Sequence, residues 1–351
     1  MVPSPETDGP SSSPSLRHPY LILSVDGGGV RGLYAAKLLE MLEASLSAQG
    51  FQRFISNVRL FAGTSTGAIL ALGLASGLAP AELVALYRDH AEQIFPSRCR
   101  WFRQAVGLVR ARYSNTALKR ILQQTFDAAL NRKDPRLGDI PRKVLVPTFE
   151  LAGVEQNVVL WKPKFFNNFE FNRGRPNPDL EQPVVDVALR TTAAPTYLPV
   201  YQGFIDGGMV ANNPSMAALA QALDADTGGQ ALQNVRLFSL GTGENRNFIR
   251  GQSMNWGDVQ WLCHKVFPDL VLDGMMEVAD YQCRRILNVG RSQDSATGAY
   301  FRLAPFLPRS IALDDASATE ALLRFAESVP SDPASKGLWL QAIEWWKNAL
   351  G

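Results

Sequence analysis

Residues 57–77, NVRLFAGTSTGAILALGLASG, decide how this chain is read. Val58 to Ala62 is a short apolar run that predicts a buried strand, and Gly63-Thr64-Ser65-Thr66-Gly67 follows it directly. A helix-like segment comes next, lined by Ala68, Ala71, Gly73 and Ala75, small enough to pack close against a sheet. Strand, sharp turn and helix with serine at the apex is the G-x-S-x-G nucleophile elbow. The turn holds the Ser65 hydroxyl clear of the sheet near a helix N-terminus and leaves the Thr66 amide free to face an oxyanion. Three fixed positions in five recur by chance, so the flanking strand and helix carry much of the inference.

The same region raises a second reading, because Leu60 to Ala81 is 22 residues without a charge, long enough to span a bilayer. Its four glycines and one proline would break or expose backbone in lipid, and a buried strand-turn-helix explains it better. The 351 residues can bury a large core, and a net charge of +2 implies no nucleic-acid polymer as partner. Cys99, Cys263 and Cys283 have no metal-ligand spacing, so neither a structural metal nor a disulfide framework is expected. Residues 1–19 hold five prolines and five serines and no apolar core. They read as a disordered tail rather than a signal peptide, and the protein as cytoplasmic and reduced.

Upstream of the elbow, YLILSV (20–25) predicts a buried strand that ends in Asp26-Gly27-Gly28-Gly29-Val30-Arg31-Gly32. A helix follows with Tyr34, Leu38, Met41, Leu42 and Leu46 on one face and Gly50 as its stop. Strand, glycine loop and helix form an anion-binding arrangement. Gly27 to Gly32 also satisfies the dinucleotide fingerprint G-x-G-x-x-G, but no Asp or Glu occurs between Ala44 and Ala81 to take a ribose hydroxyl. The loop is therefore read as the second half of an oxyanion hole.

Downstream, helices are expected over Ala81–Phe95 and Thr116–Asn131, and a strand pair over 143–151 and 157–161, with a loop from 162 to 182. Pro183 to Leu189 predicts a helix, Gln202 to Ile205 a short strand delivering Asp206-Gly207-Gly208 into a turn, and Val235 to Leu240 a further strand. Trp256 to Leu287 reads as a long helix, Tyr300 to Ala304 as strand-like, and Lys336 onward as a final helix with Trp339, Ile343 and Trp346 on one face. Gln93 to Phe126 lacks acidic residues. Within it a basic helical insertion of about 97–120 carries Arg98, Arg100, Arg103, Arg110 and Arg112 among aromatics. Two readings stay open for it: a contact to anionic lipid or ligand phosphates, and a solvated basic face.

An acyl-transfer site also needs a base. His18 lies in the tail, His90 in a helix, and His264 in WLCHKVF, a helical segment with no turn to project an imidazole. Ser65, Asp206 and His264 stand in the order of an α/β-hydrolase triad, which remains an alternative.

The Asp26–Gly32 loop, the Gly63–Gly67 elbow, Ala193-Ala194-Pro195 and Asp206-Gly207-Gly208, in this order and spacing, resemble the patatin-like phospholipases over about residues 20–330. The resemblance implies an α/β fold of three layers with a mixed, mainly parallel central sheet. The C-terminal helix, over 331–351, is expected from its tryptophan face to dock on the catalytic domain, the alternative being a helix lying in a membrane interface. The resemblance also implies a serine lipid acyl hydrolase working through a Ser-Asp dyad without metal or cofactor: Ser65 as nucleophile, Asp206 as base, the Gly28 and Gly29 amides as oxyanion donors, and Arg31 against a lipid phosphate. The chain is further similar to bacterial patatin-like effectors of anti-phage systems that degrade membrane phospholipid once a cyclic dinucleotide binds. That similarity implies a cyclic dinucleotide activator, a peripheral location at the inner membrane when active, and a homodimer as one assembly. An unregulated lipase or a non-catalytic storage protein would carry the same motifs. An aspartate near its ordinary pKa of about 3.9 is a weak base for a serine, so position, desolvation and the oxyanion hole must supply the rest.

Overall fold

Two apolar runs, Tyr20–Val25 (β1) and Val58–Gly63 (β2), lie side by side in parallel at the centre of the molecule. The computed structural model describes residues 19–51, 54–96, 110–172, 174–249, 253–257, 261, 266–289 and 296–351. Strands Lys143–Glu155 (β3), Val158–Asn167 (β4), Phe204–Asp206 (β5), Val235–Leu240 (β6) and Tyr300–Leu303 (β7) complete one seven-stranded sheet. Its order is β4-β3-β2-β1-β6-β7, with β5 paired to β3. The four pairings from β3 across to β7 are parallel, and β4 and β5 run antiparallel to β3. Parallel neighbours need crossovers, and those crossovers put helices on both faces and bury the central strands on both sides.

The helices are Gly32–Ser47 (α1), Thr66–Ala75 (α2), Pro80–Ile94 (α3), Thr116–Ala129 (α4), Val184–Thr191 (α5), Ser215–Leu223 (α6), Val266–Leu287 (α7), Thr319–Ser328 (α8) and Lys336–Leu350 (α9). One face of the sheet packs Leu21, Leu23, Val25 and Phe61 against α1, α2, α3, α8 and α9. The other face packs Ile22, Leu60, Ala62 and Leu145 against α6 and the C-terminal part of α7. Every residue of α2 is buried, which explains why its sequence has no polar face.

Several boundaries differ from the sequence reading. The strand after the β3–β4 turn continues to Asn167, where a loop was expected from 162. Pro163 misleads here: a proline is tolerated because β4 is the edge strand and one of its sides needs no ladder bond. The expected helix from Trp256 is described only from Val266, and Trp256 itself lies in irregular chain. In α9 the buried tryptophans are Trp339, Trp345 and Trp346, with Ile343 only half-buried. Trp346 packs edge-on against Phe54 at 4.7 Å between ring centroids, and Trp345 donates its indole N–H to the Gly298 carbonyl at 2.9 Å. The tryptophan helix is part of the core and does not face a membrane. No helix among the described residues is long and apolar enough to cross one.

Candidate active site

Strand β3 acts as a ruler for the site. Ala62, near the end of β2, pairs with Leu145, and three residues farther along the same strand Thr148 pairs with Asp206 of β5. β5 runs back along β3 and ends at Asp206 just past the end of β2, which brings the Asp206 carboxylate over the turn that carries Ser65. The Ser65 hydroxyl donates to Asp206 Oδ2 at 2.6 Å, and the Gly208 N–H donates to Oδ1 at 2.7 Å.

Ser65 has φ 53° and ψ −120°, a positive φ that a residue with a Cβ seldom adopts and that marks stored strain at a functional turn. The strain is held by a hydrogen bond in an unusual direction. The Ser65 N–H donates to the Thr191 hydroxyl at 3.0 Å, and that hydroxyl donates on to the Pro147 carbonyl at 2.7 Å. Behind the turn, α2 approaches the end of β1 so closely that a Cβ on Gly67 would run into the carbonyl oxygens of Val25 and Asp26. The elbow therefore needs glycine there for space.

Burial raises the Asp206 pKa to about 6, while the hydrogen bonds from Ser65 and Gly208 pull the other way. That moves the carboxylate about two units closer to neutrality than an ordinary aspartate and makes it a better base for the hydroxyl it touches. Among the described residues, no group of three His, Cys, Asp or Glu side chains could hold a metal ion.

The glycine loop after β1 is pinned from several directions. Asp26 N–H donates to Leu240, Gly27 N–H to the Asn212 carbonyl, and Val30 N–H to Leu313, each over 2.8–3.0 Å. The Thr242 hydroxyl donates to the Gly27 carbonyl at 2.9 Å. The Gly28 carbonyl accepts both the Arg31 N–H at 3.1 Å and Arg31 Nε at 3.4 Å. Because a peptide's N–H lies opposite its carbonyl, this fixes the Gly29 N–H pointing away from Arg31. Among the described residues the Gly28, Gly29 and Thr66 amides donate to no partner. A side chain built on Gly27 would lie 3.5 Å from the Ser65 Cβ, so the loop runs directly beside Ser65.

The remaining sequence candidates are placed differently. Arg31 turns Nη1 to the Gly243 carbonyl at 3.0 Å as well as Nε to Gly28. Burial lowers its pKa, with Asp273 and Asp269 of α7 acting against that shift. Arg112 is largely buried, 3.6 Å from Asp314 and stacked over the Tyr197 ring at 4.6 Å, so it belongs to the interior rather than to a presented basic face. Arg110 is exposed, and Arg98, Arg100 and Arg103 lie outside the described residues, as do His18 and His264. His90 pairs with Gln93 on α3.

The patatin-like phospholipase family model matches residues 23–219, which includes the glycine loop, the elbow and Asp206. The chain belongs to the patatin-like phospholipases. A cGAMP-activated phospholipase of Vibrio cholerae serotype O1 is 31% identical over 366 residues, spanning 95% of this chain and 93% of the relative. One of the same description from Pseudomonas aeruginosa is 31% identical over 285 residues, 79% of each chain. Protein teg of Priestia megaterium is 29% identical over 332 residues, 90% of this chain and 96% of the relative. This patatin-like phospholipase is a lipid acyl hydrolase.

Four residues of the site escaped the sequence reading. Thr191 sits just before the Ala193-Ala194-Pro195 motif, Asn212 six residues after Asp206, and Thr242 between two glycines just past the 235–240 strand, and nothing local gave any of them a role. Arg302 had no signal. It reaches from β7 to place Nη2 2.8 Å from Asp26 and 3.3 Å from Glu244, with Nη1 on Ser239. Burial opposes the Arg302 charge and is the largest single influence, but Asp26, Tyr300 and Glu244 together outweigh it and the pKa rises, so this arginine stays charged.

Proposed function

We propose that this phospholipase cleaves membrane phospholipid esters through a Ser65–Asp206 dyad without histidine. The observation that carries the reading is the 2.6 Å hydrogen bond from the Ser65 hydroxyl to a buried carboxylate, beside three amides that donate to no partner among the described residues. Asp206 accepts the hydroxyl proton as Ser65 Oγ attacks the ester carbonyl, and the carbonyl oxygen takes up negative charge facing Gly28, Gly29 and Thr66. Each such donor contributes roughly 3 kcal/mol to the transition state. The tetrahedral intermediate collapses by expelling the lysolipid alkoxide, which takes the proton from Asp206. Water then attacks the acyl-enzyme with Asp206 again as base, and fatty acid leaves. Arg31 retains Nη2, which has no partner among the described residues, as the nitrogen available to a lipid phosphate.

The activator belongs to the same proposal. Relatives described as cGAMP-activated phospholipases, one of them matching over 95% of this chain, support a bacterial effector switched on by a cyclic dinucleotide, acting at the inner face of the cell membrane in anti-phage defence. A lipase without that switch, which the same motifs fit, is the second reading.

A fluorogenic phospholipid assay tests both parts, using wild type, Ser65→Ala, Asp206→Asn and His264→Ala, each with and without a panel of cyclic dinucleotides. Loss in the first two variants alone supports the dyad, and loss in His264→Ala restores the triad. Turnover that needs one cyclic dinucleotide supports the switch; equal turnover without any nucleotide removes it.

A further inference from the structure

The β3–β4 hairpin runs on past the site. Both Ser65 and Asp206 lie at the carboxyl edge of the parallel strands, level with Thr148, yet β3 continues seven residues farther, to Glu155. At about 3.3 Å per residue the ribbon projects roughly 20 Å beyond the dyad on the side where substrate must enter. Its tight turn at Gln156 and Asn157 has φ 49° and 66°, suited to a two-residue hairpin.

The tip is apolar and bare. Trp161 is 72% exposed, Val159 68%, Val154 63% and Val158 57%. Val154 pairs with Val159, and Trp161 is two residues on from Val159, so these three share one face of the ribbon. Trp161 stands three residues from Lys164, the partner of Thr148, about 10 Å out from the level of the dyad. The hairpin from Lys143 to Asn167 carries three lysines and two glutamates, so its charge nearly cancels. Lys162 bonds back to the Val154 carbonyl at 3.0 Å and lies 3.7 Å from Glu155.

We infer that the β3–β4 tip, led by Trp161, Val159 and Val154, is the surface by which this phospholipase enters the headgroup region of its substrate bilayer, holding the dyad at the membrane. The inference rests on the lipid-hydrolase reading for its choice of occupant. Tryptophan with β-branched neighbours at a protruding tip matches the amphipathic layer between headgroups and acyl chains. A second copy of the chain is the weaker occupant, because Pro163 and the flanking Lys162 and Lys164 blunt the free edge of β4 against strand pairing. The near-neutral ribbon implies attachment driven by apolar insertion, hence binding to uncharged lipid that changes little with salt.

The test is co-sedimentation with phosphatidylcholine vesicles of wild type, Ser65→Ala, Trp161→Phe and a Val159→Asp/Trp161→Asp double variant, each with and without cGAMP. A parallel arm follows hydrolysis of vesicle lipid and of the monomeric ester p-nitrophenyl butyrate, and thermal melts show that each variant is folded. The double variant is expected to bind vesicles at least tenfold more weakly and to lose vesicle turnover in step, while keeping butyrate turnover. Trp161→Phe and Ser65→Ala should bind like wild type. Equal sedimentation of wild type and double variant overturns the inference, as does absence of wild-type binding. If no protein turns over either ester while the binding pattern holds, the hydrolase reading fails and the membrane surface stands.

Discussion

The Ser65 hydroxyl and one oxygen of Asp206 share a 2.6 Å hydrogen bond, while the Gly208 N–H holds the other oxygen, so the carboxylate cannot rotate away from its serine. Burial lifts the Asp206 pKa to about 6. In its proposed role as base Asp206 works only when ionised, so kcat/KM should fall as pH drops through about 6, by about tenfold per unit below it. A pH–rate profile on a soluble ester measures this limb; one near 4 would mean that Asp206 is not the desolvated base.

The same shift has a stability consequence of opposite sign. A carboxyl whose pKa rises on folding binds its proton more tightly in the native state, so ionised Asp206 destabilises the fold at pH above about 6. The penalty fades as pH falls from 6 toward 4. Asp206→Asn keeps an acceptor for Gly208 and a donor for Ser65 without the buried charge. It should abolish turnover yet raise stability at pH 8 by up to about 3 kcal/mol, with the gain shrinking toward pH 4. Denaturant unfolding at both pH values checks this.

Thr191 holds the Ser65 amide and leaves the serine's strained φ with a partner. Thr191→Val keeps the shape and removes the acceptor, leaving a buried N–H unpaired at a cost of about 1–3 kcal/mol. We expect kcat to fall by roughly 10- to 100-fold as the elbow loosens, with KM nearly unchanged and Thr191→Ser close to wild type. A steady-state comparison of the three proteins decides it, and equal kcat in Thr191→Val would remove Thr191 from the positioning of the nucleophile.

Gly28→Ala should separate folding from catalysis. The new Cβ would run into the Thr242 side chain, which also holds the Gly27 carbonyl, so the loop must shift and carry its amides off target. Losing one oxyanion donor costs roughly 10²–10³ in kcat. The protein should still unfold cooperatively, because the loop lies at the rim of the core; single-turnover rates together with a thermal melt give both quantities.

Arg302→Gln removes the cation from Asp26, whose Oδ1 already has no partner among the described residues. Breaking one side of a buried ion pair costs roughly 3–5 kcal/mol. Burial already raises the Asp26 pKa, so stability should fall by about that much at pH 7 and recover in part as the pH is lowered and Asp26 takes up a proton; chemical denaturation across that pH range reads the difference.

The local parts of the fold were legible in the sequence. Strand–glycine–helix patterns at Val25–Gly32 and Ala62–Ala68 need only neighbouring residues, and those neighbours make both turns recognisable. What lay outside the sequence's reach depends on pairing between distant segments. Nothing near Thr191 shows that its hydroxyl meets Ser65, 126 positions away. Nothing in YFRL shows that Arg302 reaches Asp26 across 276 positions. Pro163 argued against a strand that tertiary context allows at an edge, and the burial of Trp345 depends on the ring of Phe238, 5.5 Å away.

The most direct test of the dyad is covalent capture by an alkyl fluorophosphonate, followed by peptide mass spectrometry and by the rate of labelling against pH. The account predicts one adduct, on Ser65, formed at a rate that rises through pH 6, lost in Asp206→Asn and kept in His264→Ala. An adduct elsewhere, or capture that survives Asp206→Asn but fails in His264→Ala, would contradict it.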